Sequence, residues 1–203
     1  MSGLLRAISL GAGVQSTILA LKAARGEIGP LPDCAIFADT IAEPVAVYRH
    51  LDWLETQLPF PIYRVSAGNL RKDLMTQRST RAYSLMPIPA YVAGGNGGSV
   101  NRSCTRDYKI RPIMKQLRAL LDLTGKRAPK RVLVEQWIGI STDEAMRMKP
   151  SREGWIRHRW PLIEERMSRG DCIEWFKRHY PGRSLVKSAC TFCPPAISPS
   201  SAA

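Results

Sequence analysis

The sequence predicts an α/β fold, a doubly wound and mostly parallel sheet with helices on both faces. Two observations carry this expectation. Short apolar runs alternate with longer amphipathic segments over the first 65 residues, and two β-loop-helix units follow each other directly, which favours right-handed parallel crossovers.

Residues 7–10 form the first buried strand, and Gly11-Ala12-Gly13 turns the chain into a helix over 15–25, with Ile18, Leu19 and Leu21 available to the core. Residues 34–37 are a second buried strand, ending in the polar turn Ala38-Asp39-Thr40. Pro44 suits a first helical turn, and Val47, Leu51, Leu54 and Leu58 recur at offsets of four, three and four on one helix face. Residues 62–65 are a third strand. The Pro- and Gly-rich stretch 78–103 reads as a long functional or mobile loop. An amphipathic helix starts near Thr105 and carries Ile110, Ile113, Met114, Leu117, Leu120 and Leu121. Residues 132–140 alternate Val132, Val134, Ile138 and Ile140 on one strand face, and helices follow at 143–148 and 168–179. No internal repeat or boundary divides residues 1–193, so they are expected to form one domain; the Pro-, Ser- and Ala-rich tail 194–203 reads as disordered.

A chain of 203 residues, 44% hydrophobic and 23% charged, has the mixture of an ordinary globular domain. No run of about 18 apolar residues is present, so no membrane-spanning helix is expected. Residues 3–24 loosely resemble a secretory leader, but Arg6 and Gln15 interrupt them. Five cysteines, an odd number in a chain of this size, fit a reduced, cytoplasmic protein. The net charge of +13 is uneven: residues 1–100 carry 9 basic and 7 acidic side chains, residues 101–203 carry 21 and 10. The basic second half favours nucleic acid, nucleotides or other polyanions as partners.

The strand, Gly-rich turn and helix at the start can form an anion site from backbone N–H groups, with hydroxyls from Ser9, Ser16 and Thr17 nearby. The turn has neither a Walker A ending nor a G-x-G-x-x-G fingerprint. Asp39, at the C-terminal end of a predicted parallel strand, can hold a ribose hydroxyl or Mg2+, or cap the turn together with Thr40. Arg106, Lys109 and Arg111 near Cys104, and Arg147, Lys149 and Arg152 after the 132–140 strand, are candidate anion contacts or solvated cations. Cys190 and Cys193, two residues apart, can share a metal or remain plain thiols. Cys34 and Cys172 read as packing residues, and His50, His158 and His179 as surface residues.

Taken in order, these segments resemble the phosphoadenosine phosphosulfate (PAPS) reductase branch of the PP-loop, or adenine nucleotide alpha-hydrolase-like, superfamily. Gly11-Ala12-Gly13-Val14-Gln15-Ser16 occupies the place of its Ser-Gly-Gly-x-Asp-Ser loop, with Gln15 where Asp is usual and Gly11 where Ser is usual. Asp39-Thr40 with Glu43-Pro44 is similar to its Asp-Thr-Gly...Glu-Pro signature. Cys104 through Lys109 to Pro112 resembles its Cys-x-x-x-x-Lys-x-x-Pro element, and Gly139-Ile140 through Glu144 to Arg147 its Gly-Ile-x-x-x-Glu-x-x-Arg strand end. Trp160-Pro161 and Cys190-x-x-Cys193-Pro194 complete the series; the tail after Pro194 departs from the family ending in a way that fits truncation or a frameshift.

The resemblance implies a five-stranded HUP-like sheet. It also implies an adenine nucleotide, ATP or a sulfonucleotide, with Mg2+, bound at Ser9, Gly11, Ala12, Gly13, Gln15, Ser16, Thr17, Asp39 and Thr40. Cys104, Lys109 and Arg147 become the catalytic candidates, and Cys104, Cys190 and Cys193 the ligands of an iron-sulfur cluster or, alternatively, zinc. The expected activity is adenylation of an acceptor with pyrophosphate release, followed by sulfur transfer; a tRNA or DNA acceptor would suit the basic half. Reduction of a sulfonucleotide is the rival enzyme reading, against which the absence of a Glu-Cys-Gly-Leu-His tail counts. A catalytically silent nucleotide- or nucleic-acid-binding module is the third.

Overall fold

The computed structural model describes residues 3–75 and 104–191. The predicted loop 78–103, Cys193 and the tail 194–203 therefore lie outside the described residues. Five strands, β1 (Leu5–Leu10), β2 (Cys34–Asp39), β3 (Ile62–Ser66), β4 (Val134–Ile138) and β5 (Ile156–Arg159), form one sheet in the order β3-β2-β1-β4-β5. Every pairing is parallel, so the described sheet is parallel throughout rather than mostly so. The chain moves outward from β1 to β3, then returns to lay β4 on the other side of β1. That reversal opens a crevice at the C-terminal ends of β1 and β4, where sheets of this kind take ligands.

Helices cover both faces: α1 (Val14–Ala24), α2 (Val45–Glu55), α5 (Pro161–Glu164) and α6 (Arg169–His179) lie on one, and α4 (Arg111–Leu120) on the other. Strand alternation distributes the core between them. Ile8, Leu10, Ala35, Phe37 and Trp137 join the first cluster, whereas Ala7, Cys34, Ile36, Val134 and Ile156 join the second with Leu117. Burial on both faces explains why residues 34–38 of β2 read as a continuous apolar run and residues 7–10 of β1 as one interrupted only by Ser9. α1 is buried from Val14 through Ala23 because it lies between the sheet and α6.

Several expectations are corrected. The fourth strand spans 134–138 and is not one-faced: Val132 is exposed, and Glu135 and Gln136 are buried. Polar residues are tolerated there because Trp137 and Arg157 donate to Glu135, while Gln136 donates to Ser9. Edge strand β5 and the short α3 (Leu70–Met75) were not foreseen from the sequence. The helix expected near Thr105 begins as a π-helical turn, Thr105–Ile110, before α4. Pro112 has no N–H to give an α-helical bond and its ring crowds the carbonyl one turn back, so a widened turn accommodates it. The expected helix at 143–148 is a 3-10 segment, Thr142–Arg147. α6 starts as expected, with Ser168 and Asp171 forming a reciprocal capping box. His50 is buried rather than superficial, its Nε2 lying 3.0 Å from the Thr17 hydroxyl.

Candidate functional site

β1 ends against the crevice, and residues 11–13 carry the chain into α1. Gly13 caps the helix with extended backbone and no side-chain hydrogen bond, so the first N–H groups of α1 are left without a capping oxygen. Ser16 closes the turn from within: its Oγ accepts the Gly11 N–H at 3.1 Å and donates to the Gly13 carbonyl at 3.3 Å. Ala12 holds a left-handed φ of 54° and is fully buried. Backbone in that region costs an Ala of the order of 1 kcal/mol, which the packed surroundings must hold in place.

The end of β4 leans on this turn. A Cβ at Gly139 would lie 2.8 Å from both N and Cα of Ser16, so only glycine permits the approach. The segment beyond Gly139 then reaches Gln15, whose amide nitrogen donates to Ser141 Oγ at 3.3 Å and to Glu144 at 3.2 Å. Arg147 pairs with the same Glu144 at 2.8 Å, and Arg169, at the start of α6, donates to Gln15 Oε1 at 3.2 Å. Gln15 thus joins three elements, with its amide facing a carboxylate.

A second cluster forms where β2 ends. Asp39 Oδ1 accepts the Ile41 N–H at 2.7 Å and the Tyr48 hydroxyl at 2.8 Å; burial, with that bond and the nearby charge, pushes Tyr48 up to about 12. The carboxylate of Glu43 is fully enclosed: Lys109 donates to Oε1 at 3.4 Å and Ser188 to Oε2 at 3.2 Å. Cys190 Sγ lies 3.9 Å from Glu43 Oε1 and 3.3 Å from Thr40 Oγ1. Thr191 N–H bonds the Ala42 carbonyl, so the chain after α6 runs as a strap across this corner.

Most predicted residues therefore meet at the C-terminal edge of the sheet. Ser9, the 11–16 turn, Arg147 through Glu144, Asp39, Thr40, Lys109 and Cys190 contribute from separate elements. Cys104 caps the π-helical turn that contains Lys109, so it belongs to the element that meets Cys190 through Glu43. Thr17 is buried and committed to His50 rather than open to a ligand. Buried Cys34 and Cys172 are each pushed up to about 12, chiefly by burial, which leaves them neutral packing thiols.

No family model and no curated protein matches the chain.

Among the described residues, no group of three or more His, Cys, Asp or Glu side chains is placed to hold a metal ion. For Mg2+, Gln15 offers a neutral amide facing Glu144, and Glu144 is already paired with Arg147, so phosphate oxygens would have to supply much of the coordination. A cavity of about 420 Å3 lies at the opposite end of the strands beside Leu5, Cys34 and Tyr63, away from all these groups.

Sequence reasoning did not assign roles to Glu43, Ser141, Glu144, Arg169 or Ser188. Glu43 and Glu144 stand inside segments singled out by the resemblance, whereas Arg169 and Ser188 reach the site from 154 and 145 residues away from their partners Gln15 and Glu43. No local pattern signals contacts of that range.

Proposed function

We propose that the protein is a PP-loop-like, nucleotide-dependent enzyme of sulfur transfer, related to PAPS reductases. The observation that carries this reading is the uncapped start of α1 at the sheet's switch point, beside Asp39 and a Lys109–Glu43–Cys190 corner. ATP or a related adenine nucleotide would lay its phosphates on residues 11–16, where N–H groups and the helix dipole favour negative charge. Asp39 would hold a ribose hydroxyl, and Arg147 and Arg169 would balance phosphate charge near Gln15. An acceptor oxygen attacks the α-phosphorus and pyrophosphate leaves; a sulfur nucleophile then displaces AMP from the activated acceptor. Adenylation is useful because it replaces a poor oxygen leaving group by AMP. An iron-sulfur cluster or zinc on Cys104, Cys190 and Cys193 would supply a sulfur-binding centre when bound.

The rival reading, a silent nucleotide-binding module, draws on Gln15: an amide standing opposite Glu144 gives Mg2+ one carboxylate fewer. Pyrophosphate release on addition of ATP and Mg2+ with candidate acceptors separates the two. The reading also predicts that Gly13→Val weakens ATP binding at least about tenfold, because a branched side chain blocks backbone approach. A Cβ at Gly13 meets only Ser188, at an ordinary 3.7 Å, so the variant should remain folded by circular dichroism. Unchanged ATP affinity in calorimetry would overturn the loop assignment.

A further inference from the structure

Beside the 11–16 turn, a cavity of about 340 Å3 lies between the start of α1, one side of α6 and the strap. Its floor is apolar: Val14 and Phe176 lie buried beneath it, and the half-buried Ile173, Leu185 and Val186 present its accessible surface. Its rim is cationic, with Arg169 and Lys177 from α6 and Arg183 and Lys187 from the strap. No acidic residue lines the cavity, and none of these four cations makes an ion pair among the described residues.

Neither the Arg169 nor the Arg183 guanidinium has a carboxylate within ion-pair distance among the described residues; the Asp143 carboxylate, near Arg169, accepts that residue's backbone N–H at 2.7 Å. Arg169 donates to Gln15 Oε1 at 3.2 Å, which ties the cavity directly to the turn. The Arg183 guanidinium sits 4.3 Å over the Trp53 ring, and Trp53 itself packs edge-on against Phe176 at 6.0 Å and Tyr180 at 5.4 Å. A stacked guanidinium keeps its edge donors free for an anion and has little rotamer freedom left to lose.

An apolar floor inside a cationic rim matches a phosphate ester that carries a flat, apolar-faced ring. With Arg169 assigned to the nucleotide's phosphates, Lys177, Arg183 and Lys187 still exceed what one phosphate engages, and they lie on two separate segments, as successive phosphates of a strand require. We propose that this cavity binds a single-stranded segment of a nucleic-acid acceptor, with phosphates on the rim and one base over Ile173, Leu185 and Val186. The inference deepens the proposed function, from which it takes the existence of an acceptor beside the nucleotide.

The test uses the full chain and a fluorescent 12-nucleotide single strand, followed by anisotropy across a salt series. Lys177→Glu with Lys187→Glu, both on the surface, should weaken binding by at least about tenfold and flatten the slope of log K against log salt by about 1.4, the share of two single-strand phosphates. The same charge change on the opposite face, Lys115→Glu with Lys130→Glu, should have a much smaller effect. Equal loss in both pairs would show diffuse attraction and overturn the cavity assignment. So would an absence of strand binding at low salt, or a cavity that takes AMP but no strand. Calorimetric ATP binding, measured in parallel, should be unchanged in the Lys177 and Lys187 variant. Strand binding that depends on this pair in a protein that binds no ATP would uphold the cavity and remove the nucleotide reading instead.

Discussion

Asp39 and Ile41 show how a strand end is fixed by a single carboxylate. Asp39 Oδ1 accepts the Ile41 N–H and so folds the chain back at the end of β2, but the turn forces Ile41 to φ 54°. A β-branched side chain is a rare occupant of that region, and the PAPS-reductase pattern that this segment resembles has Gly there. Ile41 is 47% exposed, so its side chain recovers little of the cost by burial. Ile41→Gly removes a penalty of about 1–2 kcal/mol and adds back roughly 0.5–1 kcal/mol through the freedom of the unfolded chain. A gain of up to about 1.5 kcal/mol in urea denaturation is therefore expected, and a loss would show that the left-handed turn is not strained. Ala12 has the same φ but is fully buried, so a glycine there forfeits a packed methyl and offers no comparable gain.

At the scale of elements, the meeting of β4 with α1 defines the crevice. Gly139 brings the end of β4 onto Ser16, and from that approach follow the contacts of Ser141 and Glu144 with Gln15. Gly139→Ala places a carbon against backbone atoms that no rotamer change can move, at a cost of about 1–3 kcal/mol as in other overpacked sites. The thermal midpoint should fall and ATP affinity with it, because the strain is delivered to the turn itself; a variant with native stability would mean that β4 can shift freely. The elements around this contact were legible in the sequence to different degrees. Residues 34–37 announced themselves as an unbroken apolar run, and 7–10 as one interrupted only by Ser9, because both their faces are covered. β5 did not, since Ile156 is its one buried apolar residue and Arg157, His158 and Arg159 follow. The 132–140 segment misled because its alternation suggested one wet face, whereas Glu135 and Gln136 are buried with partners on Arg157, Trp137 and Ser9. The turn, Asp39 and Lys109 were legible as candidates through ordered motifs; the Arg169–Gln15 and Ser188–Glu43 contacts exist only once α6 and the strap have docked.

Over the whole molecule, buried and paired titratable groups divide the acid side of the stability curve into two windows. Burial between α1 and α2, with Arg183 nearby, lowers His50 to about 4. The unfolded chain, with its imidazole near 6.5, therefore binds a proton that the folded protein resists, and stability declines as pH falls from about 6.5 to about 4. The shift corresponds to roughly 3 kcal/mol at most. The carboxylates act lower. At Glu27 and Glu135 burial alone would raise the pKa, but hydrogen bonds from Lys22 and Arg25, and from Trp137 and Arg157, outweigh it and hold both below the ordinary value. Asp171 is lowered by its bonds to Ser168 at the head of α6. Such groups stabilise the fold above their unfolded pKa, and their contribution disappears as pH falls through the depressed folded value. Urea midpoints should thus decline first between about pH 6.5 and 4.5, where His50 dominates, and again below about pH 4. His50→Gln keeps a polar partner for Thr17 and should flatten the first decline while leaving the second. An unaltered slope between pH 6.5 and 4.5 in that variant would place the proton uptake elsewhere, and the Thr17–His50 contact would then be a packing contact without a role in acid stability.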